Sequence, residues 1–347
     1  MQIDRVPCMG LCPTTSRSHK SVGFANRRNF SSTATASNHL SPSAEQKETS
    51  TFYTPLNPWF VTGLSDGEGS FLVQLVKNNR VKVGWRILLH FQISLHSRDT
   101  ILLERLQSYF NGAGYIYNER EFTVYRVSSK KDLAVVMDHF GKYPLLTKKF
   151  ADYILFQQIL DLFNRKAHLT KEGLQQVVNL RAPLNRGLSL ELSKAFPETI
   201  MLQRPFVKDP QIKDPYWLSG FASGEGCFSL TVFKTTLYKA GGRVNIKFSL
   251  SQHSRDKELL QSLTHYLSCG YYKLHPNRDT GEFIVSDFPS IVDIIIPFFN
   301  KYPILGVKAL DFGDFCQVAG IMKVKGHLTK AGLEEIIFLK GKMNTKR

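Results

Sequence analysis

The chain has 347 residues, enough for about two domains of ordinary size. Lys and Arg number 45 against 29 Asp and Glu, a formal charge of +16 on a composition that is 42% apolar and 12% aromatic; this excludes a disordered basic tail and makes a polyanion the first partner to consider. No apolar stretch approaches the ~18 residues that cross a bilayer, since Asp293 interrupts even the run from Ile291 to Ile296, and five scattered cysteines without a paired spacing predict reduced thiols and no structural zinc.

Residues 1–50 differ from all that follows. No Asp or Glu lies between Arg5 and Pro42, whereas Arg17, Lys20, Arg27 and Arg28 stand among many Ser and Thr. This is the composition of a mitochondrial transit peptide, with Arg27 to Ser32 as its processing region, and the expected location is the mitochondrion. A disordered leader or an exon-derived extension is the other reading of these residues. The segment's six basic and three acidic residues give +3, leaving 16 − 3 = +13 on the rest, so the folded part is itself basic.

Next in the chain, Asn57-Pro58 joins an N-cap residue to a first-turn proline and predicts a short apolar helix that ends at Gly69. Beyond Gly69 the period falls to two. Phe71, Val73 and Leu75, then Val83, Trp85, Ile87, Leu89, Phe91 and Ile93 share a core face, opposite Ser70, Leu72, Gln74, Lys82, Arg86, His90, Gln92 and Ser94. A turn at 77–80 makes a long hairpin, and a second hairpin at 115–127 adds Tyr117 and Arg126 to the polar face. Helices are predicted over roughly 99–110, 130–140, 147–165 and 170–180. The stretch 188–211, with Pro197, Pro205 and Pro210, reads as a linker.

After the linker the sequence repeats itself. LNPWFVTGLSDGEGSF at 56–71 aligns with KDPYWLSGFASGEGCF at 213–228, and FQISLHSRD at 91–99 with FSLSQHSRD at 248–256, both at an offset of 157 (248 − 91). KYPLL at 142–146 matches KYPIL at 301–305, and HLTKEGL at 168–174 matches HLTKAGL at 327–333, at 159 (327 − 168). The chain is a tandem duplication of 55–187 and 212–345, each half an αββαββα unit followed by further helix. In the second half Phe228, Leu230, Val232, Val244, Ile246, Phe248 and Leu250 point inward, and Ser229, Thr231, Arg243, Asn245, Lys247, Ser249 and Ser251 outward. Solvation alone explains one polar strand face. Two related faces rich in Arg, Lys, Gln, Asn and Ser on a basic chain point to base and phosphate reading.

Each repeat-start helix carries glycines four apart, Gly63 with Gly67 and Gly220 with Gly224, a stripe that lets two helices approach closely. An acid closes each helix, Glu68 and Glu225, at the end where the dipole disfavours a carboxylate. One such Glu is ordinarily a solvated cap. Two at equivalent positions, on helices able to pack together, form a pair of hard oxygen ligands suited to Mg2+ and phosphodiester hydrolysis. His168 and His327, each just before a Thr N-cap, read as helix-start packing. Cys227 reads as a small residue beside the site.

VTGLSDGEG at 61–69 and LSGFASGEG at 218–226 resemble the two signature helices of a single-chain LAGLIDADG homing endonuclease, in detail most similar to fungal mitochondrial intron-encoded members, over about residues 55–345. The resemblance implies an α+β fold of two αββαββα half-domains about a pseudo-two-fold axis, with saddle-shaped antiparallel sheets in the major groove. It further implies site-specific double-strand cleavage that leaves short 3′ overhangs and promotes intron mobility. Mg2+, with Mn2+ as a substitute, would be held by Glu68 and Glu225 and by the carbonyls of Gly67 and Gly224. Lys149 and Lys308, 159 apart (308 − 149), fall where a basic residue near the scissile phosphate is expected, and Gln252 where a water-orienting Gln is expected; the repeat partner of Gln252 is Leu95. Asp66 becomes Ser223 in the second motif. The expected partner is duplex DNA of roughly two helical turns, bound by a monomer. An RNA maturase assisting group I intron splicing, with intron RNA as partner, and a degenerate DNA-binding protein are the alternatives on the same scaffold.

Overall fold

A computed structural model describes residues 54–185, 187–207, 211–235 and 240–344. The leader and its transit-peptide expectation lie outside these residues. Helix α1 (Pro58–Glu68) opens as its sequence predicts: the Asn57 side chain accepts the Trp59 N–H at 2.8 Å and proline takes the first turn. Strands β1 (Gly69–Lys77) and β2 (Trp85–His96) follow, then α2 (Thr100–Tyr109), β3 (Tyr115–Glu119), β4 (Phe122–Val127), α3 (Lys130–Lys142), α4 (Lys149–Asn164), α5 (Lys171–Arg181) and a short α6 (Leu190–Ala195). The second half runs α7 (Pro215–Glu225), β5 (Gly226–Lys234), β6 (Gly242–His253), α8 (Lys257–Leu267), β7 (Tyr271–Leu274) and β8 (Thr280–Val285). It continues through a composite helix α9 (Phe288–Ser290, Ile291–Ile295, Ile296–Lys301) into α10 (Lys308–Lys323) and α11 (Lys330–Lys342).

Each half holds a four-stranded antiparallel sheet, ordered β1-β2-β4-β3 and β5-β6-β8-β7. Helices cover one face of each. Phe71 pairs with Phe91 across the first sheet, their rings 5.2 Å apart, and packs on Phe140, Tyr153 and Phe156. Phe228 and Phe248 repeat this at 5.1 Å, with Phe299, Phe312 and Phe315. The two cores exchange residues where they meet: Leu146 buries in the second core, and its equivalent Leu305 packs against the first.

Some local features depart from the predicted elements. The first hairpin turn occupies Asn78 to Gly84, with Gly84 at φ +76°, so Lys82 is an exposed turn residue and not a strand position. Val83 still packs on the core from that turn. The interhalf stretch carries α6, and its Phe196 ring lies 5.4 Å from Trp85 while Arg204 pairs with Asp152 at 2.8 Å. Helix α9 contains a π turn at Ile291–Ile295 where α3 is regular. Pro297, which lacks an N–H and crowds the preceding turn, accounts for the difference.

Helices α1 and α7 pack together at the centre. A Cβ on Gly63 would fall on the Trp217 carbonyl oxygen and lie 2.8 Å from the Phe221 nitrogen; one on Gly220 would fall on the Phe60 carbonyl oxygen, 2.9 Å from the Leu64 nitrogen. Only hydrogen fits at either position. The two helix C-termini are thereby brought side by side.

Candidate active site and nucleic-acid face

Glu68 and Glu225 meet where α1 and α7 end. Each side chain lies against the glycine of the other helix: a Cβ at Gly224 would sit 3.0 Å from Glu68 Cγ and 3.4 Å from its Oε1, and one at Gly67 would sit 3.2 Å from Glu225 Cγ. Burial, then the charge of Glu68, pushes the Glu225 carboxyl up to about 7, against the opposing pull of Lys149, Lys308 and Gln252. Burial likewise raises Glu68, opposed by Lys308 and Lys149. Gln252 Nε2 donates to Glu225 Oε1 at 3.3 Å, and only on this side, since the matching position is Leu95.

The two lysines complete the cluster. Lys149 opens α4 and its Nζ donates to the carbonyls of Ser65 (3.0 Å), Asp66 (2.9 Å) and Gly67 (2.9 Å), the unsatisfied acceptors at the C-terminus of α1. Lys308 opens α10 and donates to the Gly224 carbonyl. Burial lowers both ammonium pKa values; nearby carboxylates act in the other direction, Asp66, Glu225 and Glu68 on Lys149, and Glu68 and Glu225 on Lys308. Two carboxylates and two ammonium groups thus share one cluster, and the carbonyls expected to face a metal are engaged by lysine.

Asp66 is not part of that chemistry. Its carboxylate accepts the backbone N–H groups of Leu146 (2.9 Å) and Thr147 (3.0 Å), the Thr147 hydroxyl (2.6 Å) and the Trp217 indole N–H (2.8 Å). Ser223 performs a reduced version of the task, taking the Leu305 N–H at 3.0 Å. The Asp-to-Ser difference between the motifs is therefore a difference in how the loop before each lysine is held.

Sequence reasoning missed one pair. Asp99 and Asp256 close the repeated HSRD motifs, and each carboxylate accepts a backbone N–H in the opposite half, Val307 and Lys148 respectively, at 2.6 Å. The only available signal was that these letters recur unchanged in both repeats.

The open sheet faces carry the remaining expected residues. Gln92, Arg126 and Tyr117 form one group: Arg126 donates to Gln92 Oε1 through Nε (3.1 Å) and Nη2 (2.8 Å) and lies over the Tyr117 ring at 5.1 Å. Gln74 and Arg86 are exposed and, with Arg126 and Lys130, line a cleft of about 510 Å3. His90 lines the same cleft but is buried, its Nε2 unpartnered, its pKa pushed down to about 4 by burial and by Arg126. On the second sheet Thr231, Arg243 and Asn245 are exposed, while Ser70 and Ser229 are half-buried. Two expected contacts are already engaged: Lys247 pairs with Glu282 at 3.0 Å, and Ser249 is buried. Although burial acts to raise it, hydrogen bonds from Ser249 and Lys247 hold the Glu282 carboxyl below the usual range.

The family described as "LAGLIDADG endonuclease" matches residues 61–160 and 218–319, two segments that between them contain both acids and both lysines. This chain belongs to the LAGLIDADG endonuclease family. It is 40% identical over 302 residues to "Probable intron-encoded endonuclease 3" of Neurospora crassa, covering 86% of this chain and 56% of that relative, so it spans little more than half of that protein's length. Among solved structures, "the I-SmaMI LAGLIDADG homing endonuclease bound to cleaved DNA" matches with a TM-score of 0.83 at 41% identity, over 84% of this chain and 98% of that one. I-SmaMI is also described bound to uncleaved DNA in the presence of calcium ions (TM-score 0.82, 41% identity, 83% and 99% coverage) and as a double alanine variant of two lysines (0.82, 40%, 84% and 99%). The two tandem half-domains are the architecture of this LAGLIDADG neighbour. Among the described residues no helix is long and apolar enough to cross a membrane.

Proposed function

We propose that the chain is a site-specific double-strand DNA endonuclease that promotes the mobility of its own intron, with one hydrolytic centre for each DNA strand. The observation that carries this reading is the meeting of Glu68 and Glu225, one from each repeat, at a junction between two polar sheet faces. A protein that only bound nucleic acid, DNA or intron RNA, would gain nothing from two carboxylates presented to phosphate. Relatives described as an intron-encoded endonuclease and as bound to cleaved DNA support it.

The donor set suits a hard divalent cation. Burial raises the pKa of both Glu68 and Glu225, a desolvation that a bound cation would offset, and the oxygen of Glu68 lies against a glycine where a side chain would crowd it. Glu68 and Glu225, with the Gly67 and Gly224 carbonyls once the lysines move aside, would hold Mg2+ or, in its place, Mn2+. Such a cation supplies activation of water and neutralisation of the leaving 3′ oxygen. I-SmaMI, described as bound to an uncleaved DNA target in the presence of calcium ions, supports a divalent-cation requirement.

This chain's own groups do the rest. Gln252, anchored on Glu225, orients a water on one side only, which makes the two centres chemically unequal. Lys149 and Lys308 stabilise charge building on the phosphate. The two lysines replaced together in I-SmaMI are 159 positions apart, the separation of Lys149 and Lys308 (308 − 149), which supports giving these residues a part in cleavage. Arg86, Gln74 and the Gln92–Arg126–Tyr117 group read one half-site, and Arg243, Asn245 and Thr231 the other. The enzyme acts as a monomer in the mitochondrion, because one chain supplies both sheets and its relatives are intron-encoded.

Incubating purified protein with a randomised duplex library and Mg2+, then sequencing cut ends, tests the proposal. Paired breaks at one preferred sequence with short 3′ overhangs are expected. Intact DNA, or cutting without sequence preference, would overturn it.

A further inference from the structure

The HSRD motif reaches the cluster only through charge, Asp99 acting on Glu68 and Lys308, and Arg255 on Lys149, yet its two aspartates make the same contact in opposite directions. After β2, His96 Nδ1 accepts the Arg98 N–H at 3.3 Å and winds a 3-10 turn, Ser97–Asp99; after β6, His253 does the same for Arg255 at 3.1 Å, through Ser254–Asp256. Asp99 then reaches into the second half and accepts the Val307 N–H, and Asp256 reaches into the first and accepts the Lys148 N–H, both at 2.6 Å. Val307 and Lys148 are the N-cap residues of α10 and α4, and neither side chain caps its own helix, although in α4 the Thr147 hydroxyl accepts the Lys149 N–H at 3.2 Å. Each helix has an acid in its first turn, Asp311 in α10 and Asp152 in α4, but these accept the Asn344 and Asn185 N–H groups, so the acceptor for each cap N–H comes from the opposite half. Gly306 fits this arrangement: its φ is +76°, and a Cβ there would collide with Asp99 Oδ1.

The residue after each cap is the lysine that closes the active site. We infer that Asp99 and Asp256 are positioning residues, Asp99 setting Lys308 and Asp256 setting Lys149, so that each half holds the other half's lysine. The inference rests on the endonuclease reading above. It gives the two strands β2 and β6 a mechanical connection to the chemistry, because each runs directly into the motif whose aspartate crosses over. A half-site engaged by one sheet thereby steadies the lysine belonging to the other repeat.

Two readouts on the full chain test this. Amide hydrogen exchange of the metal-free protein should show Asp99→Ala opening the first turn of α10 and leaving α4 protected, with Asp256→Ala doing the reverse. Single-turnover nicking of an end-labelled duplex recovered from the library should then show opposite strand biases: Asp99→Ala slows one strand by about tenfold relative to the other, and Asp256→Ala slows the other strand. Asp99→Asn, which keeps the acceptor oxygen, should restore the ratio to within about twofold of the unsubstituted chain. Equal slowing of both strands by either alanine variant would overturn the positioning role, as would exchange that opens only within the variant's own half. Lack of cutting by the unsubstituted chain would count against the endonuclease reading alone, and the exchange measurement would still decide the cross-half contact.

Discussion

Asp66 lies fully inside the protein, and burial raises its carboxyl even though four hydrogen bonds converge on it. Removing the carboxylate strands the Trp217 indole and two backbone N–H groups in the interior. Asp66→Ala should therefore cost about 3 kcal/mol in urea unfolding, more than a surface Asp would. His139 gives a pH-dependent counterpart. It sits between the Thr62 hydroxyl at Nε2 (3.1 Å) and the Tyr109 hydroxyl at Nδ1 (3.0 Å), and burial pushes its pKa down to about 3. The unfolded chain protonates this ring near pH 6.5 and the folded chain only far lower, so stability is complete above ~6.5 and falls as pH drops toward 3. At pH 4.5 the loss from this group is about 3 kcal/mol. Urea midpoints measured from pH 7 to 4.5 should fall less steeply in His139→Gln than in the unsubstituted protein, the remaining slope including the share of His90, whose pKa burial also lowers. At this scale the paired acids could be read from the repeat, because duplication marks them without any knowledge of contacts, whereas the lysines were expected only through the family resemblance. The roles of Asp66 and Asp99 could not, because each depends on a partner far along the chain, Trp217 for one and Val307 for the other.

The helices at the junction depend on missing side chains. A methyl group at Gly63 meets backbone of α7, which cannot rotate away, so Gly63→Ala must force the two helices apart. It should destabilise the protein by about 3 kcal/mol, at the upper end of ordinary overpacking, and displace the acids at the helix ends. Gly320, within α10, has open space where a Cβ would go; Gly320→Ala should stabilise by about 0.5 to 1 kcal/mol through helix propensity alone. Thermal unfolding of the two variants side by side checks both signs. Helix and strand periods in the first half match the structure closely, since Asn57-Pro58, the alternation after Gly69 and the Thr170 cap are local signals. The turn at Asn78 to Gly84 and the π turn in α9 were less legible: one depends on a glycine at positive φ, the other on a proline inside a helix that tertiary packing retains.

For the whole molecule, a +16 chain with two polar sheet faces should bind DNA mainly through phosphates. Affinity for the target duplex should fall at least about a hundredfold between about 50 and about 200 mM salt. Filter binding across that range checks this, and a flat titration would remove the sheets as the binding surface. The duplication made the overall plan legible, two halves with one sheet each, but not the exchange of Leu146 and Leu305 between cores or the crossed aspartates. Such features are properties of the pseudo-dimer and have no local pattern. The central claim is that one acid from each repeat is required for double-strand cutting. It is tested most directly by measuring cleavage and binding of the selected duplex in parallel for Glu68→Gln and Glu225→Gln. Both variants should bind at least as tightly as the unsubstituted chain, because a negative charge beside phosphate is lost, and neither should make a double-strand break in Mg2+. Full cleavage by either one would contradict the account.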